Sequence, residues 1–181
     1  MNDGRRVTPI LLWGMMGAGK SALGRYLSER CGVTAVDLDA EISASYDATI
    51  SSLIETHGLA WFRTCEQDML VRLMDAQDTA VIALGGGTLL DAEFRTQVRA
   101  RAYICTLTAQ PKTLFARVSK ALGERPLLAS PSEDPLSVLK QLLSERQDAY
   151  LDADCVVDTT TLSVAQSAQL VMPLFFESEA A

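Results

Sequence analysis

The segment Gly14-Met15-Met16-Gly17-Ala18-Gly19-Lys20-Ser21 fits the spacing G-x-x-x-x-G-K-[ST] of a phosphate-binding loop. It constrains the fold because such a loop works only between a strand and a helix. The glycines let successive backbone N–H groups turn inward around an anion, and the helix that follows adds the positive end of its dipole. Both flanks are present. Val7 to Trp13 is an apolar run that predicts a strand buried on both faces. Ser21 to Cys31 carries helical spacing through Leu23, Tyr26 and Leu27, and Gly32 stops it. In a loop of this kind Lys20 brings positive charge to the β- and γ-phosphates of a nucleotide, and Ser21 offers its hydroxyl to Mg²⁺.

The rest of the chain keeps alternating between the two periods. Strands are predicted at Thr34–Asp37, Thr79–Leu84, Ala102–Leu107 and Cys155–Asp158. Between them fall helical stretches at Glu41–Tyr46, from Thr49 as N-cap to Gly58, Leu59–Ala76, from Asp91 as cap to Ala100, Pro111–Lys120, Leu136–Leu151 and Ser163–Phe175. Strands alternating with helices predict an α/β fold of three layers, α/β/α, around a central five-stranded parallel sheet. The 181 residues suit one domain, 1–181. Leu122 to Pro135 breaks the alternation, with Gly123, Pro126, Pro131 and Pro135 among Ser, Glu and Asp. It reads as a loop long enough to be functional, a mobile lid over about 119–134.

Composition then narrows the ligands. With 16 cationic and 23 anionic side chains the net charge is −7, and the pI is near 4.7. A broad surface for nucleic acid or anionic lipid is therefore not expected. A small anion gripped by a few arginines stays open, and 12 of the 16 cationic residues are arginine. Arg5 and Arg6 before an apolar stretch imitate a secretory leader, but Gly14, Gly17, Gly19 and Lys20 interrupt it. No apolar run approaches membrane-spanning length. The four cysteines, Cys31, Cys65, Cys105 and Cys155, lack zinc spacing and read as fillers in a reducing, cytoplasmic setting. His57 is the only histidine, which leaves little room for histidine-based catalysis.

Several residues could carry chemistry around the loop. Asp37 and Asp39 close the second strand, and residues two apart on a strand share a side. Both should reach the crevice at the carboxyl ends of the strands. One can hold Mg²⁺ through water while the other positions or deprotonates a hydroxyl; alternatively either caps the next helix. Gly85-Gly86-Gly87 leaves bare amides after the third strand. Arg63 with Glu66 could be a surface pair, Arg125 a solvated loop arginine, and Arg146, four residues before Tyr150, part of a solvated face.

Taken in order, the phosphate loop, Asp37-Leu38-Asp39, Phe62-Arg63 with Glu66, Gly85-Gly86-Gly87, Arg125-Pro126-Leu127-Leu128 and Arg146 with Tyr150 resemble the shikimate kinase family over roughly residues 10–158. The resemblance implies ATP-dependent phosphorylation of the 3-hydroxyl of shikimate by a monomer. It implies that Asp39 acts as base or orienter at that hydroxyl, and that Arg63 and Arg146 grip the carboxylate. It places Gly85, Gly86 and Gly87 on the ring hydroxyls and Asp37 beside the metal. Lys20 and Arg125 become catalytic groups at the phosphates. ATP falls to Gly14, Met15, Met16, Gly17, Ala18, Gly19, Lys20, Ser21, Leu23, Arg117 and Arg125, with Arg117 against adenine. Leu59 stands where the family usually has an acid, and Ile54 where it has an aromatic. A gluconate-type kinase and a ligand-binding module without turnover are the other readings.

Overall fold

The computed structural model describes residues 8–76, 79–119 and 134–174. The strands are β1 (Ile10–Trp13), β2 (Thr34–Asp37), β3 (Thr79–Ala83), β4 (Tyr103–Thr108) and β5 (Cys155–Asp158). The helices are α1 (Lys20–Cys31), α2 (Leu38–Tyr46), α3 (Ile50–His57), α4 (Leu59–Asp75), α5 (Ala92–Arg99), α6 (Pro111–Val118), α7 (Pro135–Leu151) and α8 (Val164–Val171). Among the described residues the strands form one sheet in the order β2-β3-β1-β4-β5, with every pairing parallel.

Every residue of β1 and β3 is buried. Successive strand residues point to opposite faces, so helices must cover both, and the three-layer expectation holds. The core runs through the middle of this sheet, with Ile10, Leu11, Leu12, Val81, Ile82, Ile104 and Cys105 all fully inaccessible. α1 packs on α8, and α4 packs on α2 and α3. Among the described residues no helix is long and apolar enough to cross a membrane.

Local chemistry sets the element ends that matter for function. α1 starts from Gly19 at φ 102° and ends at Gly32 at φ 68°, both in the left-handed region that favours glycine. Thr49 and Asp91 cap α3 and α5 as their positions suggested. One expectation fails. α2 begins at Leu38, immediately after β2, because the Asp37 carboxylate accepts hydrogen bonds from the N–H groups of Asp39 and Ala40 at 3.1 and 3.3 Å. Asp39 therefore lies in the first turn of a helix and not on the strand. The expected lid, with Arg125, lies outside the described residues apart from its edges at Ser119 and Asp134.

Candidate active site

A cavity of about 630 Å³ opens along the carboxyl ends of β1, β2 and β3. Its walls include Gly17, Gly19, Lys20 and Ser21 from the phosphate loop, Asp37 and Asp39 after β2, and Arg63 and Glu66 from α4. Gly85, Gly86 and Gly87 follow β3 into it, and Arg117 and Arg146 reach it from α6 and α7. Thus groups spread from Gly17 to Arg146 meet in one place.

At the nucleotide end, Gly14 stands at φ +124°, and a Cβ there would overlap the carbonyl oxygen of Leu107. Only glycine lets the loop pass this close to β4. Lys20 Nζ donates to the carbonyls of Gly14 and Met15 at 2.8 and 3.1 Å, so its ammonium is held over the loop. The Ser21 hydroxyl donates to Asp37 at 2.5 Å. A hydroxyl and a carboxylate held together are hard oxygen donors of the kind Mg²⁺ takes. Met16 lines the cavity. Met15, Ala18 and Leu23 instead point their side chains into the core, at 0%, 1% and 1% exposure. The helical period turns the side chain of Leu23, expected beside ATP, toward the sheet. The Arg117 guanidinium donates to Thr159 Oγ1, Thr159 O and Gly17 O at 3.0, 2.7 and 3.2 Å. Thr159, which the sequence did not flag, is buried and also bonds the carbonyl of Ala18 at 3.0 Å.

At the other end, Glu66 is completely buried and paired with the Arg63 guanidinium. Thr88 Oγ1 donates to its second oxygen at 2.6 Å. The Arg63–Glu66 pair is therefore not a surface pair, because the carboxylate anchors the arginine from beneath. A Cβ on Gly87 would overlap that guanidinium, and one on Gly86 would lie 3.5 Å from Arg146 Nη1. The glycine turn thus lies beside both arginines, pressed against Arg63 at Gly87 and within ordinary contact of Arg146 at Gly86. Arg146 is 9% exposed, which sets aside the solvated-face alternative.

Asp39 sits between the two ends. Burial pushes its carboxyl up to about 6, helped by repulsion from Glu66 and Asp37 and opposed by Lys20 and Arg63. A carboxylate near this value is poised to take a proton at neutral pH. Ile50, Ile54, Leu59 and Phe62 add an apolar wall. The cavity thus offers an anion cradle, one poised carboxylate, two arginines and a hydrophobic flank.

Known proteins are similar to this chain in sequence and in fold. A family model described as shikimate kinase matches residues 16–174. A shikimate kinase of Rhodopseudomonas palustris is 40% identical over 149 residues, covering 82% of this chain and 71% of that protein. The structure resembles that of the Acinetobacter baumannii shikimate kinase in complex with shikimate, at a TM-score of 0.86 and 31% identity, over 97% of this chain and 96% of that one. A gluconokinase from Sinorhizobium meliloti is similar at a TM-score of 0.55 and 19% identity, over 96% and 99%, a likeness of fold alone.

Proposed function

The chain belongs to the shikimate kinase family, and from that membership we propose how its own residues carry out the ATP-dependent phosphorylation of the shikimate 3-hydroxyl. One observation carries the reading: Asp39, raised to about 6, lies between the phosphate loop and the two glycine-turn arginines.

The proposed roles rest on this arrangement. The loop amides and Lys20 cradle the phosphates of ATP. Arg63 and Arg146 grip the acceptor carboxylate, a pairing that favours two-point contacts. Gly85, Gly86 and Gly87 offer N–H groups to the ring hydroxyls, while Ile54, Leu59 and Phe62 shelter the ring. With the acid anchored, one hydroxyl faces Asp39, which orients it and takes its proton as the phosphoryl group arrives. Phosphoryl transfer needs little more than this alignment and charge stabilisation. Ser21 and, through water, Asp37 suit Mg²⁺, which neutralises charge on the β- and γ-phosphates when bound. We assign Arg125 to the transferring phosphate and Arg117 to the adenine side. The reading takes 1–181 as one domain that works as a cytoplasmic monomer without nucleic-acid or membrane partners.

A coupled ADP-release assay with Mg²⁺-ATP tests it, comparing shikimate, gluconate and no acceptor. Shikimate-dependent release is expected. Release with gluconate alone would move the acceptor assignment, and ATP binding without release on any acceptor would leave a silent binding module.

A further inference from the structure

Behind the glycine turn lies a buried assembly that the proposed mechanism does not use. Tyr150 is 2% exposed, and its hydroxyl donates to the carbonyl oxygen of Gly86 at 2.8 Å. It stands one helical turn after Arg146 on α7, so the two side chains share a face. A methyl built on Gly86 would lie 3.4 Å from the Tyr150 oxygen and 3.5 Å from Arg146 Nη1, so the glycine, the phenol and the guanidinium meet at one point. The positive charge of Arg146 also acts on the phenol. A phenol can donate one hydrogen bond and accept another at once.

The ring is fixed from behind. Trp13 meets it edge to face at 4.8 Å. Arg95, 8% exposed, lies 6.0 Å from the Trp13 ring and donates to the Leu89 carbonyl at 2.8 Å and to Asp152 at 2.9 Å. Asp152 is the C-cap of α7, and Leu89 follows the glycine turn. The turn and α7 are therefore tied twice, at Gly86 by Tyr150 and at Leu89 by Arg95.

We propose that Tyr150 is a positioning residue for acceptor recognition: its hydroxyl fixes the Arg146 guanidinium against the Gly86 peptide, so that arginine and glycine turn meet the acceptor carboxylate in one fixed geometry. This rests on the reading of Arg63 and Arg146 as the carboxylate grip. Without the hydroxyl, Arg146 keeps its charge but loses its aim. The loss falls on binding of the acid, because the phenol's short bond goes to the Gly86 carbonyl and its contact with the phosphate loop is a weak one, to Met15 Sδ at 3.8 Å.

The test compares wild type with Tyr150→Phe, using shikimate and its methyl ester as acceptors. Tyr150→Phe keeps the ring and its contact with Trp13. The wild type should prefer the acid. The variant should raise KM for shikimate about tenfold, the size of one hydrogen bond to a charged group. KM for ATP, and kcat/KM for the ester, should stay within about twofold, inside the usual reach of a distant change. In an Arg146→Ala background the Tyr150→Phe change should add no further loss on the acid. An unchanged KM for shikimate overturns the inference. So does a loss shared by acid, ester and ATP, which is what a misfolded or generally loosened variant gives. Wild type with no preference for acid over ester would bring down the arginine grip itself, and the inference with it.

Discussion

Asp39 is placed where chemistry wants it and folding does not, so replacing it should exchange activity for stability. Its carboxyl is raised from 3.8 to about 6, chiefly by burial and then by Glu66 and Asp37. Every tenfold rise in proton affinity is worth about 1.4 kcal/mol, so ionising Asp39 in the folded protein costs up to ~3 kcal/mol at neutral pH. The folded form holds its proton through the window from about 4 to 6, while the unfolded chain has already released it. Stability therefore falls as pH rises through that window; below it the cost is absent and above it the cost is complete. Asp39→Asn keeps the shape and removes the charge. At pH 7.5 the variant should be more stable than wild type by ~2–3 kcal/mol, or roughly 4–12 °C in Tm for a chain of this size. At pH 4.5, inside the window, the gap should shrink to about 1 kcal/mol, roughly a third of its full size. Thermal melts of both proteins at the two pH values, without nucleotide or acceptor, give the comparison. Turnover should fall by at least ~10²-fold, the usual contribution of a positioned acid or base. An equal gap at both pH values, or a variant less stable at pH 7.5, would refute the reasoning about burial.

The same carboxyl should give kcat/KM for the acceptor an acidic limb near 6, with activity lost as pH falls and Asp39 gains a proton; a flat profile from about pH 5 to 8 would remove Asp39 as the base. Arg63→Ala and Arg146→Ala should each raise KM for the acid by ~10–100-fold, the range for hydrogen bonds to charged groups, while KM for ATP stays put; steady-state kinetics at varied acceptor decide it. Gly87→Ala should act chiefly on the acceptor: its methyl overlaps the Arg63 guanidinium and not backbone, so its KM for the acid should climb with that of Arg63→Ala, with some stability lost as the guanidinium shifts from the buried Glu66. Gly14→Ala should behave oppositely, since φ +124° and the Leu107 carbonyl leave the methyl nowhere to go; strain of about 1–3 kcal/mol is expected in a melt.

The sequence made the nucleotide end legible and left much of the acceptor end obscure. A phosphate loop is a local device, in which spacing, glycines and flanking periods all lie within one stretch. The strands were legible for a similar reason, since burial on both faces produces unbroken apolar runs such as Ile10–Trp13 and the Ala80-Val81-Ile82-Ala83 stretch of β3. The pairing of Asp37 and Asp39 was expected on strand geometry, yet the structure brings them together because Asp37 caps α2 and turns the chain. Glu66 looked like half of a surface pair, because i, i+3 spacing says nothing about which face of α4 meets the glycine turn. Arg146 looked solvated for the same reason. Arg95, Trp13 and Thr159 sent no signal at all. Their partners are Asp152, Tyr150 and Ala18, and only the sheet order brings them near.

That long-range closure has a consequence for how the protein responds to its acceptor. Arg63 belongs to α4, which precedes β3 in the chain, and Arg146 to α7, which follows β4 and α6. An acid bound by both is in effect a removable cross-link between distant parts of the chain. Its binding free energy adds to the cohesion of the whole domain and not to one loop. Amide protons in α7 and in the glycine turn should then slow their exchange together when the acid binds, as one cooperative unit.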